Sequence, residues 1–334
     1  MTRATVVVLN YNGEKLLGQF LPSVVANSGD TKIVVADNGS TDNSVSFLAR
    51  EFSSVGIIKL DRNYGFCGGY NRALKEVKSK YIVLLNSDVE VSPGWLEPMV
   101  SLLESDNSIA AVQPKILSYN NRDHFEYAGA GGGFIDSWGY PFCRGRLFNT
   151  VEKDEGQYND TREVFWASGA CMVIRSDVYV EQGGLDEDFF AHMEEIDLCW
   201  RIKRAGKKIY YCGSSQVFHL GAGTLETINP RKTYYNFRNG LAMIYKHWST
   251  SDLFWRFPVR LMLDYAAMIF FLFQLKGGHA LSVIRAHIAF VMKMRRNQRK
   301  RAALTSNPNS VTGIVQGSIV WNHYIQGKTR ISIP

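Results

Sequence analysis

Up to residue 112 the chain alternates short apolar runs, rich in β-branched side chains, with segments whose apolar residues recur every three or four positions. The runs at 5–9, 32–36, 56–60, 81–85 and 109–112 predict strands. Between the first two, Leu16, Leu17, Phe20, Leu21, Val24 and Val25 mark a helix with one apolar face. A second helix is expected after Ser92, with Pro93 at its first position and Leu96, Met99, Val100 and Leu103 as the buried stripe. Strands alternating with helices give a mostly parallel sheet with crossover helices, an α/β architecture.

The rhythm breaks at Gln113. A stretch rich in Gly, Asn and Tyr, with an almost unbroken glycine run at 129–133, extends to Arg162 and is expected to be a long functional loop. Order resumes over 163–175. A helix over 193–205, stopped by Gly206, is followed by a strand at 208–212 that leads to His219.

After Gly223 the text becomes aromatic, basic and helical, which divides the chain into 1–223 and 224–334. The run 261–275 is nearly all apolar, but it has 15 residues and includes Asp264, short of the roughly 20 a spanning helix needs. Beyond it, Leu281, Ile284, Ile288, Val291 and Met292 fall at helical spacing among Arg285 and Lys293. The cluster Arg295, Arg296, Arg299, Lys300 and Arg301 follows. Such a segment fits an amphipathic helix lying on an anionic membrane surface, the alternative being a helical cap with a solvated basic tail.

Composition narrows the field. At 334 residues, 46% hydrophobic and 21% charged, the chain can bury a large core and is not disordered. Lys and Arg number 38 against 31 Asp and Glu. The excess sits in the acid-free segment 276–301, so the remainder is near neutral and nucleic-acid binding by the main body is not implied. Five cysteines without a C-x-x-C pair argue against a disulfide framework and a structural zinc site, and suit a reducing cytosol. The opening apolar run, 6–9, is too short for a secretory h-region.

In a parallel sheet, ligands gather at the carboxyl ends of the strands. The first end reads Leu9-Asn10-Tyr11-Asn12-Gly13 and lacks the G-x-G-x-x-G turn of dinucleotide-binding enzymes. It also lacks the Gly-rich basic loop that nucleotidyl transfer would need. At the second, Asp37 can accept hydrogen bonds from a base or ribose, while Ser40, Thr41 and Asp42 can equally be turn and capping residues. At the fourth, Asp88 follows a fully apolar strand, as suits Mg²⁺ or Mn²⁺ shared with phosphate oxygens.

Six segments stand in order: VVVLNYN, VADNGSTDNS, Asn63-Tyr64-Gly65-Phe66-Cys67-Gly68-Gly69-Tyr70-Asn71, LLNSDVEV, WASGACMVIR, and FFAHMEEIDLCWRIKRAGKKIYY followed by His219. Together they resemble the family 2 inverting glycosyltransferases of the GT-A fold, especially the rhamnosyltransferase-like enzymes of bacterial surface-polysaccharide assembly. The resemblance covers roughly residues 4–221. It implies a GT-A nucleotide-diphospho-sugar transferase fold, a Rossmann-like sheet flanked by helices, here with a C-terminal helical extension.

The resemblance also implies roles. Asn10, Asp37, Asn63, Gly65, Asn71, Asn86 and Asp88 would meet the nucleotide sugar, and the alternative for Gly68 and Gly69 is close helix packing. Asp88 matches the retained acid of the D-x-D metal motif, with Asn86 at the place of the first acid. His219 would join it on Mn²⁺ or Mg²⁺, the alternative being a hydrogen-bonded strand-end histidine. Glu195, second of the acidic pair, would be the general base. Glu194, Trp166, Ser168 and Gly169 would lie on the acceptor side, with Trp166 either stacking on a sugar or serving as a core aromatic. Asp197 and Arg201 read as an i, i+4 brace. The expected enzyme is cytosolic, peripheral on the inner face of the membrane, and moves a sugar from a nucleotide donor, dTDP-rhamnose by nearest resemblance, to a saccharide or glycolipid acceptor. An inactive nucleotide-sugar binding module and a nucleotidyltransferase are the alternatives.

Overall fold

Side chains branched at Cβ pack well on a sheet buried on both faces, and the apolar runs near the N-terminus fold accordingly. The computed structural model describes residues 2–221, 229–304, 311–331 and 333. Strands β1 (Thr2–Asn10), β2 (Lys32–Asp37), β3 (Gly56–Lys59) and β4 (Ser79–Asn86) lie parallel in the order β4-β1-β2-β3. Helices α1 (Glu14–Asn27), α2 (Ser44–Glu51) and α3 (Gly65–Ala73) make the crossovers. Helix α1 buries Leu17, Phe20, Leu21 and Val24, while Leu16 and Val25 lie at the margins of its apolar face. Register aligns Asn10 with Asp37, and Leu9 with Asn86, so three strand ends share one edge.

Strand β5 (Val89–Val91) and helix α4 (Glu97–Ser105) follow. The helix begins later than the sequence suggests. Pro93 lies in a turn with Gly94, which has φ +70°, and Pro98 occupies the first helical turn; Met99, Val100 and Leu103 are buried as expected. Strand β6 continues to Ser118 (Ile109–Ser118).

The Gly-rich stretch is not a structureless loop. It forms β7 (Gly133–Asp136), β8 (Pro141–Cys143), β9 (Arg146–Leu147) and β10 (Thr150–Val151), four strands of a second, small sheet. Strands of two to four residues are too short to show the alternation that reveals longer ones. Next come β11 (Thr161–Val164), β12 (Cys171–Arg175), α5 (Ser176–Glu181), α6 (Glu194–Arg204) and β13 (Lys208–His219). The large sheet runs β11-β13-β6-β12-β4-β1-β2-β3, with β5 also on β13. Strand β12 is antiparallel to β4 and β6, so the parallel pattern breaks beside β4.

The remaining elements are α7 (Pro230–His247), α8 (Thr250–Phe273), α9 (Gly277–Met292), α10 (Met294–Ala302), β14 (Ile314–Val315) and α11 (Ile319–Tyr324). The expected division at 223/224 falls on residues outside those described. Leu241, Met243, Ile244, Trp248 and Phe290 share one core with Phe134, Trp166 and Trp200, and β14 adds to the small sheet beside β7. The C-terminal helices are therefore packed into the body.

Among the described residues no helix is long and apolar enough to cross a membrane. Asp264 is buried in α8 and bonded to Arg260 (3.0 Å) and to His287 of α9 (3.2 Å), locking the two helices together. Helix α9 turns Ala280, Val283, Ala286 and Phe290 inward. The stripe anticipated from spacing, Leu281, Ile284, Ile288, Val291 and Met292, faces outward. Helix α8 likewise exposes Met262, Ile269, Phe270, Leu272 and Phe273. The connecting Leu275 is 93% exposed.

Candidate active site

The strand ends of β1 and β2 interlock through side chains. Asn10 is fully buried and donates Nδ2 to Asp37 Oδ1 (3.0 Å) and Ser40 Oγ (3.2 Å), while Ser40 N donates to Asp37 Oδ2. Asn38, not singled out in the sequence although it adjoins Asp37, ties this edge to the next loop by donating to Asn63 Oδ1 (3.1 Å) and Gly65 O (3.0 Å). Asn63 in turn accepts from Gly65 N (2.8 Å). The start of α3 is thus held against the ends of both strands.

Two glycines here answer to geometry. Gly65 has φ +71°, and a β-carbon on it would lie 2.7 Å from the Phe190 ring. At Gly69 a β-carbon would lie 2.8 Å from Leu9 and 2.9 Å from Asn38, so this residue allows close helix packing. Asn71, expected beside the donor, is directed elsewhere. Its Nδ2 donates to Leu185 O (2.8 Å), and its Oδ1 accepts from Tyr179 Oη and Leu185 N, leaving it a brace between α3 and the chain before α6.

Sheet register solves the separation of Asp88 from His219. Antiparallel pairing places His219 opposite Val89, and Leu220 N donates to Asp88 O (3.0 Å). His219 Nε2 is then 3.2 Å from Asp88 Oδ1 and 3.5 Å from Asn86 Nδ2. On the other side of the ring, Nδ1 faces Glu126 Oε2 at 3.4 Å. Glu126 was not anticipated, because a single acid in a polar insert carries no signal of its own.

Burial opposes the charged form of His219, but the hydrogen bonds to Asp88 and Glu126 outweigh it and push the imidazole up to about 10. Burial likewise opposes ionisation of Glu126, yet His219 holds it below the usual carboxylate range. Asp88 and His219 Nε2 converge from separate strand ends as an oxygen and, once an arriving cation displaces the Nε2 proton, a nitrogen donor, a set that fits a divalent cation completed by phosphate oxygens. Glu126 lies beside the far nitrogen, the place from which carboxylates orient metal-binding histidines. Among the described residues no three His, Cys, Asp or Glu side chains converge to hold a metal ion by themselves.

The acidic pair opens α6. Glu194 is buried and Glu195 partly exposed. Burial and the neighbouring Glu195 drive the Glu194 carboxyl well above the carboxylate range. Burial also raises Glu195, to about 7, tempered by the backbone amides of Glu195 and Ile196 at the helix start. Each keeps an Oε2 without a hydrogen-bond partner among the described residues, as does Asn10 at Oδ1. Buried polar atoms of this kind have hydrogen-bonding capacity to offer a ligand's polar groups.

Gly169 lies against Phe66 and the Glu195 β-carbon, and its neighbour Ala170 accepts from Asn86 N (3.0 Å). One turn therefore joins the Asp88 strand end to the acidic pair. Ser168 fixes that turn, donating to Ala128 O (2.9 Å) and accepting from Ala170 N (3.2 Å). Trp166 is 4% exposed and donates Nε1 to Phe134 O (2.8 Å), so of its two readings the structure selects the core aromatic. Asp197 and Arg201 pair at 3.0 Å, and Arg201 also reaches Gly184 O (2.8 Å), confirming a brace.

The basic tail is partly turned inward. Lys300 bonds to Asp186 and Asp188, Arg296 lies 2.6 Å from Asp188, and Arg301 donates to Tyr245 O (2.8 Å) and Trp248 O.

Comparison with known proteins bears on the family and the fold. The family model described as glycosyl transferase family 2 matches residues 5–182. An N-acetylglucosaminyl-diphospho-decaprenol L-rhamnosyltransferase of Mycobacterium tuberculosis is 24% identical over 326 residues, covering 90% of this chain and 96% of the relative. A crystal structure of GalNAc-T7 with UDP, GalNAc and Mn²⁺ aligns with a TM-score of 0.58 at 17% identity, over 75% of this chain and 49% of that one. The mannosyltransferase PcManGT of Pyrobaculum calidifontis, solved with GDP-Man and Mn²⁺, aligns with a TM-score of 0.53 at 13% identity, over 86% and 87%. The fold is of the GT-A type.

Proposed function

The chain belongs to glycosyl transferase family 2, and we propose that it is an inverting enzyme that transfers a sugar from a nucleoside-diphosphate donor to a lipid-linked saccharide in bacterial surface-polysaccharide synthesis. The observation that carries this reading is the partly exposed Glu195, raised to about 7 by burial and joined through one turn to the strand end that holds Asp88. A general base works best with a pKa near the operating pH. Glu195 takes the proton of the acceptor hydroxyl, the oxygen bonds to the anomeric carbon, and the bond to the diphosphate breaks on the opposite face. Asn10, Asp37, Asn63 and Gly65 border the donor, with Asn86 beside the diphosphate. A divalent cation, Mn²⁺ or Mg²⁺, held by Asp88 and His219 would neutralise charge on the departing diphosphate.

The decaprenol-linked acceptor named for the mycobacterial relative supports a lipid-linked acceptor here, and its rhamnosyl activity supports dTDP-rhamnose as donor. The outward apolar rows of α8 and α9 support a peripheral position on the inner face of the membrane, with the exposed Arg295 and Arg299 meeting anionic lipid. A panel of dTDP-, UDP- and GDP-sugars with Mn²⁺ tests the donor. A true donor at about 100 times its Kd should stabilise the fold by about 2.7 kcal/mol. If none shifts the melting temperature and none is turned over with a polyprenyl-diphosphate saccharide, the proposal fails.

A further inference from the structure

The chain entering α6 takes an unfavourable path. Phe190, His192 and Met193 have φ of 65°, 67° and 70°, left-handed backbone that residues bearing a β-carbon adopt at a cost. Met193 is the residue immediately before Glu194, so the last left-handed step sets the direction in which α6 and its acidic pair emerge. The path also leaves the carbonyls of residues 189, 191 and 192 gathered toward one point.

A single side chain occupies that point. Asn239 of α7 is fully buried, and its two Nδ2 hydrogens are shared among three carbonyls, Phe189 O (3.1 Å), Ala191 O (2.9 Å) and His192 O (2.7 Å). Its Oδ1 accepts from Arg238 Nε (2.8 Å), which fixes which end of the amide faces the carbonyls. Arg238 Nη2 adds bonds to Asp188 O and Phe189 O, both at 2.9 Å. Tyr235, one turn earlier on α7, stacks on Phe190 with ring centroids 5.7 Å apart. Phe190 in turn abuts Gly65 at the start of α3.

The geometry points to Asn239, oriented by Arg238, as the positioning residue for Glu195. It supplies the donors that make the left-handed path the favoured one, and it acts through that path without touching substrate. This inference rests on Glu195 being the base.

The test is Asn239→Ala, assayed with dTDP-rhamnose, Mn²⁺ and an N-acetylglucosaminyl-diphospho-polyprenol, with dTDP release followed. Turnover should fall by about 10-fold to 100-fold, while donor KM and the donor-induced thermal shift stay within about twofold. Met193→Gly on that background should restore several-fold of the lost kcat, because glycine takes the left-handed conformation freely. With kcat taken per folded enzyme, a stability role alone would give neither the loss nor the rescue. If Asn239→Ala fails to accumulate, Arg238→Lys, which keeps the charge but loses the Nε bond that orients the amide, should show the same kcat loss at constant donor KM. Normal kcat in whichever of the two variants folds, or a loss that Met193→Gly does not relieve in Asn239→Ala, overturns the inference. Glu195→Gln measured alongside separates the two levels: if it keeps near-normal rates, the base assignment falls and the inference with it. If it is inactive while the α7 variants are normal, only the inference falls.

Discussion

Glutamine at position 195 should make the protein more stable near neutral pH and far less active. The carboxyl is raised by burial from 4.5 to about 7. At about 1.4 kcal/mol per unit, a shift of that size corresponds to roughly 3 kcal/mol. The sign follows from which state keeps the proton. Between pH 4.5 and about 7 the unfolded chain has lost it and the folded chain has not, so stability falls as pH rises through that window. Above about 7 the wild type bears the full cost of an ionised, largely buried carboxylate. Glutamine does not titrate and bears none of it.

The quantity to measure is the change, between pH 4 and pH 8, in the stability difference between Glu195→Gln and wild type. Taking a difference of differences cancels whatever the amide gains or loses in packing. Because Glu195 is partly exposed and interacts with Glu194, roughly 3 kcal/mol is a ceiling, and about 1 to 3 kcal/mol is expected from denaturant titrations at the two pH values. In the same variant kcat should drop by about 10²-fold to 10⁴-fold, with donor affinity nearly constant, since the proposed donor site lies at the ends of β1, β2 and β4. Glu194→Gln should slow turnover less. A stability difference independent of pH would refute the burial argument. Near-normal turnover in Glu195→Gln with a severe loss in Glu194→Gln would show the base to be the other carboxylate.

Asp88→Asn should abolish the Mn²⁺-dependent part of nucleotide-sugar binding, read by thermal shift, and reduce turnover by at least about 100-fold; equal activity in chelator and in the variant would remove the metal from the reaction. Glu126→Gln should weaken Mn²⁺ binding about 10-fold to 100-fold, measured by titration calorimetry in the presence of dTDP, and unchanged affinity would show that Glu126 does not orient His219. Phe273→Ser with Leu275→Ser should lower partitioning onto anionic vesicles by at least about tenfold, since each buried apolar side chain is worth about 1.5 to 3 kcal/mol. Undiminished sedimentation with vesicles would place the lipid contact elsewhere.

The parallel half of the fold was legible because its strands are long enough to show a continuous apolar run and are separated by helices with one apolar face. The small sheet was not. Its strands have two to four residues, and 129–133 offers no β-branched text, so tertiary pairing decides what local pattern does not. The helix after β5 starts later than its sequence suggests for a related reason. Pro93 and Pro98 both satisfy the preference for an early helical proline, and the left-handed Gly94 between them ends the matter. At the site, strand-end position picked out Asp37 and Asp88, and the family resemblance added Glu195 and His219. Neither could find Glu126 or Asn239, whose partners lie 93 and about 50 residues away along the chain and meet them only through packing.

The C-terminal helices follow the expectation drawn from their charges only in part. Text rich in Lys and Arg reads as a solvated or lipid-facing surface. In the fold, however, Lys300 and Arg296 meet Asp186 and Asp188, and Lys246 bridges Asp186 (3.1 Å) and Asp197 (2.6 Å). Those aspartates flank the left-handed chain that leads into α6, so part of the basic excess braces the acidic pair from behind. The outward side of α8 and α9 is largely apolar. Membrane attachment built on such a face should depend weakly on salt, because screening acts on the few free cations, Arg295 and Arg299 among them, and not on buried apolar area. Raising salt from about 0.1 to 1 M shortens the Debye length from about 10 to 3 Å and should release only a minor fraction from anionic vesicles. Complete release at 1 M salt would show that charge, and not the α8–α9 face, holds the protein to lipid.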